Sequence, residues 1–313
     1  MKKFSNTVLL IALVVLVGIF VLSRVFRSSR LDSNIRKELV KLDTARVTEV
    51  RVKSSATEGE ELKLIKTGGR WKVVSGSREA MTEPGVVSSM LGVAMNLNVQ
   101  RLVSRKKEKW ETFEVGENST RVTIFDGSEK LADFRVGKFG FPQGQQQGSG
   151  IQGMYTYVRL TNEDEVYTSE GFIASHFNRS FDQWRDKTFL KVNQDVGRIE
   201  FVYPDSSFVL EKRDSIWFAG NEQAVDSKVN QYLNKIKFKN ISEFEEGIVQ
   251  PGGTPLQLQI AGAAGILATA QAWPKGGDDW VLSSTFQDGV YFSGKRNGVI
   301  KEIFPGKNWF VVP

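Results

Sequence analysis

The chain of 313 residues contains no cysteine and a single histidine, His176. The missing cysteines exclude disulfides, thiolate metal sites, a cysteine nucleophile and a lipid-bearing cysteine anchor. One histidine without cysteine leaves only carboxylates for a zinc site. A serine–histidine–acid arrangement would have to use His176, which sits beside Phe177 with no nucleophile motif to match. No phosphate-binding glycine loop is present, because the pairs Gly137-Lys138, Gly294-Lys295 and Gly306-Lys307 lack the upstream glycine and a following Ser or Thr. No catalytic residue, cofactor site or metal site is therefore read from the chain, and no enzyme activity is expected.

An excess of one charge is also largely missing once the charge is located. The formal net charge is +6. Residues 1–30 carry Lys2, Lys3, Arg24, Arg27 and Arg30 and no acid, so the rest holds 42 − 5 = 37 basic against 36 acidic side chains, a net of +1. That balance excludes a nucleic-acid footprint. An apolar content of 40% with 25% charged residues is that of a globular chain, not a disordered one.

Long apolar runs are absent except for one. Residues 8–22, from Val8 to Leu22, are unbroken in apolar character, and the stretch extends to twenty residues from Thr7 to Phe26 with Arg24 its one charge. Twenty helical residues span roughly 30 Å, the thickness of a hydrocarbon core. A cleaved signal peptide is the competing reading, but such segments end their apolar run several residues before the cleavage site. The flanking positive charges are nearly balanced. A short N-terminus before a large domain places the bulk of the chain outside the cytoplasm, as a single-pass inner-membrane protein with a periplasmic domain. Residues 1–30 are thus read as a membrane anchor and 31–45 as a polar juxtamembrane stalk, with a helical pattern through 35–42.

What the chain has in quantity is repetition. Residues 46–54 read RVTEVRVKS and 195–203 read DVGRIEFVY; 62–73 read LKLIKTGGRWKV and 208–219 read FVLEKRDSIWFA; 157–169 read YVRLTNEDEVYTS and 281–293 read VLSSTFQDGVYFS. Each copy predicts a strand, a hairpin with tryptophan on the return strand, a helix and several further strands. Thr82 is read as the first helix cap with Pro84 in its first turn, and Asp226 or Ser227 as the second cap. Val87, Leu91, Ala94 and Leu97, then Val229, Leu233 and Ile236, are the core faces of these helices. Asp126-Gly127 is read as a hairpin turn. The fold class is α+β: two tandem repeats, 46–187 and 192–313, each a mostly antiparallel sheet with one main helix.

The duplication also judges candidate sites. The acidic cluster Glu163-Asp164-Glu165 matches Gln287-Asp288-Gly289, so it reads as a turn rather than a cation site or catalytic pair. Asp278-Asp279 lies in a glycine-rich loop and reads the same way. Three features have no second copy: the anchor, the basic run Arg105-Lys106-Lys107-Glu108-Lys109, and the glycine- and glutamine-rich stretch 137–153. The basic run fits a solvated face, or a contact with anionic lipid or an acidic partner. The long stretch reads as a loop whose Phe139 and Phe141 are candidate partner contacts.

Gly69-Arg70-Trp71-Lys72-Val73, Val136-Gly137-Lys138, Val166-Tyr167 and the connector Ser180-Phe181-Asp182-Gln183-Trp184-Arg185-Asp186-Lys187-Thr188-Phe189-Leu190 carry a resemblance. Together they resemble the domain of unknown function 4340 family over about 260 residues. The second copy departs from it, with Ala272-Trp273-Pro274 in place of the Val-Gly-Lys passage. The resemblance implies a membrane-tethered, non-catalytic accessory component beside gliding-motility-type ABC exporters. Its implied partners are the permease and ATPase subunits and an extracytoplasmic partner domain. An envelope scaffold or ligand-binding module without a transporter is the alternative, and a hydrolase using His176 or an acidic pair a third.

Overall fold

Val50 and Val52 alternate with Glu49 and Arg51, and the strand they form, β1 (Glu49–Lys53), buries the valines and leaves the charged positions on the opposite face. The same alternation builds the rest of the molecule. The computed structural model describes residues 36–141, 153–248, 251–295 and 298–312, with Leu13, Val15, Leu16, Val17 and Ile19 from the N-terminal segment. The chain divides into two units, Met1–Phe181 and Asp182–Pro313.

In the first unit β1 is followed by β2 (Glu61–Thr67), β3 (Arg70–Ser75) and β4 (Arg78–Met81), a meander running outward from β1. The helix Val86–Met95 then carries the chain to β5 (Val99–Ser104). A long connection leads to β6 (Thr120–Asp126), which pairs with β1, and β7 (Glu129–Gly140), β8 (Tyr155–Leu160) and β9 (Val166–Glu170) run from it back to β5. The result is one nine-stranded sheet in the order β4-β3-β2-β1-β6-β7-β8-β9-β5, with every neighbouring pair antiparallel.

The second unit repeats this. After β10 (Thr188–Lys191) come β11 (Arg198–Val202), β12 (Phe208–Arg213), β13 (Ile216–Ala219), β14 (Glu222–Gln223), the helix Asp226–Lys237, β15 (Phe238–Asn240), β16 (Phe244–Glu245), β17 (Leu256–Gly262), β18 (Gly265–Gly276), β19 (Asp279–Ser284) and β20 (Tyr291–Ser293). Its nine-stranded sheet has the order β14-β13-β12-β11-β17-β18-β19-β20-β16, the topology of the first. Even the irregularities coincide: the β6–β7 ladder slips between Ile124 and Phe125, the β17–β18 ladder between Ile260 and Ala261. The helices also match: one buries Val87, Met90, Leu91 and Ala94, the other Val229, Tyr232, Leu233 and Ile236, at i, i+3, i+4 and i+7. In the second unit Tyr232 fills the place of Met90 and donates its hydroxyl to the Ile303 carbonyl at 2.7 Å, which satisfies the one polar atom it buries.

Several local expectations change. The β2–β3 turn is Gly68-Gly69 and the β12–β13 turn is Asp214-Ser215, all four at positive φ, as the tight primed hairpin turn requires. The β6–β7 turn is Gly127-Ser128, one residue beyond the expected pair, since Asp126 still pairs with Glu129. Thr82 caps no helix: it is buried and donates to the Trp71 carbonyl at 3.2 Å, while Gly85 in the left-handed region precedes the helix. Asp226 lies inside the first turn, after Val225, and makes no cap bond. The strands β4 and β14 were not anticipated.

The largest correction concerns the stalk. Residues 36–42 are irregular with one bridge from Glu38 to Asn98, not helical, and Leu39, Val40 and Leu42 are buried in the first unit. Leu39 donates its amide to the Leu97 carbonyl at 3.0 Å, and Val99 donates to the Lys37 carbonyl at 2.9 Å. In the second unit β10 pairs with β15, and Ile241 donates to the Lys187 carbonyl at 2.9 Å. The segment from Lys37 to Leu42, KELVKL, is therefore the first-copy equivalent of KTFLKV from Lys187 to Val192. The apparent connector is the opening segment of the second unit, held by buried Trp184, Phe189 and Leu190 and by Arg185, whose guanidinium lies 3.6 Å over the Phe244 ring.

Leu39→Ala is accordingly expected to destabilise the protein by about 2–4 kcal/mol. Thermal unfolding of the full chain in detergent would show a lowered midpoint; an unchanged midpoint would return residues 36–42 to a solvated stalk.

Candidate functional site: the strap of the first unit

The chain between β5 and β6, residues 105–119, forms two single 3₁₀ turns, Lys107–Lys109 and Glu111–Phe113. It crosses β7 and β8 over Arg135, Gly137 and Arg159. Three contacts fix its path. A side chain at Gly137 would lie 2.2 Å from the Phe113 carbonyl oxygen, so only glycine lets the strap pass there. The Phe113 and Tyr157 rings meet at 4.7 Å. Trp110 donates its indole N–H to the Asp164 carbonyl at 3.2 Å, and the Arg159 guanidinium stacks 3.6 Å over its ring.

Under the strap lie two arginines. Arg135 on β7 and Arg159 on β8 stand directly opposite each other in the ladder, and both are buried. Like charges in that position repel, and burial of either cation without partners is costly. The strap and the β8–β9 turn supply the partners. Arg159 donates Nε–H to the Val115 carbonyl at 3.1 Å and Nη1–H to the carbonyls of Leu160, Thr161 and Glu163 at 3.0–3.2 Å. Arg135 donates to the Gly116 carbonyl at 2.7 Å, the Glu117 carbonyl at 3.0 Å and the Glu117 carboxylate at 2.9 Å. Burial, then the charge of Arg135, lowers the pKa of Arg159 from its ordinary value. Burial also raises Tyr157, aided by its hydroxyl contact with Tyr155, to about 12. Lifting the strap would strip carbonyls from two buried guanidinium groups at once, which makes the arrangement a clamp.

Beside the clamp, Arg121 grips Asp133 through both guanidinium arms at 3.0 and 2.7 Å, and Lys130 adds a bond at 3.2 Å. Burial pushes the Asp133 carboxyl up, but these bonds outweigh it and hold the pKa at about 2.

None of this is duplicated. In the second ladder Gln271 stands opposite Ser283 where the first has Arg135 and Arg159, and Trp273 stands where the first has Gly137. The corresponding connection, 246–255, is shorter. The Val-Gly-Lys passage thus has a physical cause: its glycine admits the strap. The strap was not anticipated; its signal was the exchange of Arg135 for Gln271 and Arg159 for Ser283 at central strand positions.

The features picked from the sequence fall as follows. The acidic cluster and the basic run, read separately, meet. Glu163 pairs with Arg36 at 3.1 Å, Asp164 with Lys107 at 3.6 Å and Glu165 with Arg105 at 3.6 Å, while Lys106 reaches Glu108 at 4.0 Å. Phe139 is not in a loop: β7 runs on through Gly140, and Phe139 pairs with Thr156. Its half-exposed ring packs edge-on to Phe172 at 5.0 Å and Phe141 at 5.8 Å. The rest of the expected loop, 142–152, is outside the described residues. His176 lies in a 3₁₀ turn, where burial, then Arg179, lowers its pKa. Asp279 opens β19 and pairs with Lys295 at 3.5 Å. Among the described residues no group of three or more His, Asp or Glu side chains is placed to hold a metal. Thr7, Val8, Leu22 and Phe26 lie outside the described residues. Leu13, Val15, Leu16, Val17 and Ile19 are helical and exposed, and no helix of the described residues is long and apolar enough to cross a membrane.

Two tests address the strap. Gly137→Val should push Phe113 and Val115 off the sheet, destabilise the protein by at least about 2 kcal/mol and shift tryptophan emission to the red as Trp110 is wetted. Gly92→Ala, in open space inside a helix, should instead add up to about 1 kcal/mol. The second test is acid titration. A carboxyl depressed in the folded state stabilises above its unfolded pKa, and that contribution is lost as pH falls through the folded value. Asp133 should therefore cost the wild type about 1–2 kcal/mol between roughly pH 4 and pH 2, discounted for screening, and Asp133→Asn should flatten that limb of the stability curve.

No curated protein and no solved structure matches the chain. A family described as a domain of unknown function (DUF4340) matches residues 71–255, which is 255 − 70 = 185 of 313 residues and includes parts of both units. That span begins at Trp71 on β3, takes in the strap, the clamp and the opening segment of the second unit, and ends just before β17. The chain belongs to this family of domains of unknown function.

Proposed function

We propose that the protein is a membrane-anchored, non-catalytic accessory subunit of an ABC-type export complex, presenting its duplicated domain to partner subunits on the extracytoplasmic side. The observation that carries this reading is where the reactive residue types go. The acidic turn is taken up by ion pairs with Arg36, Arg105 and Lys107, and the buried arginines by backbone carbonyls. The features left over are surfaces and a tether. The apolar segment 7–26, whose described residues are helical and exposed, supports the anchor. Family membership supports the accessory role through the resemblance, by analogy.

A second reading, an envelope scaffold or ligand-binding module without a transporter, draws on the exposed ring pair Phe139–Phe172. Extraction of the full chain in mild detergent separates the two. Co-purification with an ATPase and a permease is expected. Recovery as a lone monomer, or crosslinking from Phe139 only to a non-transporter protein, would favour the second reading.

A further inference from the structure

The link between the apolar segment and the first unit is short. Residues 27–35, nine in all, separate Phe26 from Arg36, and nine extended residues reach about 30 Å at most. The fold shows where that link ends. Arg36 pairs with Glu163 at 3.1 Å, and the next two carboxylates of the same turn meet Lys107 and Arg105. The tether therefore joins the first unit beside the basic run.

The cations and acids of this corner differ in exposure. In the three pairs of the acidic turn the cation is the more exposed partner: side-chain exposure is 48% for Arg36 against 26% for Glu163, 71% for Arg105 against 32% for Glu165, and 67% for Lys107 against 51% for Asp164. Lys106, 71% exposed, has only a 4.0 Å approach to Glu108. In these three pairs the cation is thus the partner more open to an approaching anion, although the charges nearly balance and Glu108 is itself 70% exposed. The second unit has no counterpart: Gln287-Asp288-Gly289 replaces the acidic turn, and Glu246-Gly247-Ile248 follows β16 where the basic run follows β5.

We infer that this corner of the first unit is a docking face for anionic phospholipid headgroups. The inference rests on the anchored reading above. Exposed ion pairs are weak, so headgroup phosphates can replace the inner carboxylates as partners of Arg105 and Lys107 at little cost. Cations beside a tether act at high effective concentration on the surface it holds them to.

The cysteine-free chain makes the test direct, since one introduced cysteine is the sole labelling site. Full chains carrying Glu108→Cys, or Ser77→Cys in the exposed β3–β4 turn at the other edge of the sheet, are labelled with a fluorophore. They are reconstituted in vesicles of phosphatidylcholine with or without phosphatidylglycerol, containing headgroup spin-labelled lipid. Quenching at position 108 should exceed that at 77 by at least about twofold in anionic vesicles. It should fall to the level at 77 in neutral vesicles, in high salt, or with Lys106→Glu and Lys107→Glu together. Equal quenching at both positions, or quenching indifferent to lipid charge, in a chain that stays with the vesicles after alkaline carbonate would overturn this inference alone. A chain washed off by carbonate overturns the anchored reading and this one with it. Shielding of position 108 only when other membrane proteins are present assigns the face to a protein partner and overturns the lipid contact.

Discussion

The structure depends on one seam, the ladder between β1 and β6 and its counterpart between β11 and β17. Every other pair of neighbours in these sheets except the closing pair at the β5 and β16 edge is consecutive along the chain. At the seam Val50 faces Ile124 and Val52 faces Val122, strands some seventy positions apart. Without it each unit would be two separate small sheets with buried backbone groups left unbonded, which is costly. In the second unit the helix secures the seam: Val229, Tyr232, Leu233 and Ile236 share one buried cluster with Ile199, Phe201, Leu258 and Ile260.

Two copies of one topology separate what the fold needs from what was added. Both units keep the sheet order, the bulge after the fifth residue of the seam's second strand, the helix stripe and the opening segment. Only the first keeps the strap, its arginine pair and the glycine beneath it. Gln271, Ser283 and Trp273 show that this sheet position does not itself require Arg135, Arg159 or Gly137. Those residues serve the strap, and the strap in turn carries the basic run, whose Lys107–Lys109 form its first 3₁₀ turn.

The opening segment changes where the first unit begins. Because Leu39, Val40 and Leu42 are packed, the first unit starts within a few residues of Arg36 rather than after a solvated stalk.

The repeated blocks, the strand alternation of Val50 and Val52, the helix stripes and the turn character of Glu163-Asp164-Glu165 were legible in the sequence because each is a local pattern with a fixed period. The opening segment was not: KELVKL and KTFLKV share too few identities, and their equivalence lies in hydrogen bonds to Leu97, Val99 and Ile241. Thr82 offered a good cap by residue type, yet a long-range bond to Trp71 claimed its hydroxyl. Phe139 looked like loop because glycines surround it, but cross-strand pairing with β8 extended the strand through them. The clamp was hidden most deeply, since two arginines in strands read as surface until their register places them face to face under another segment. The sequence by itself determined the duplicated α+β sheet units, because periodicity and turn chemistry are local. Only the tertiary structure decided which polar residues are buried, paired or left facing outward, because that depends on segments brought together from far along the chain.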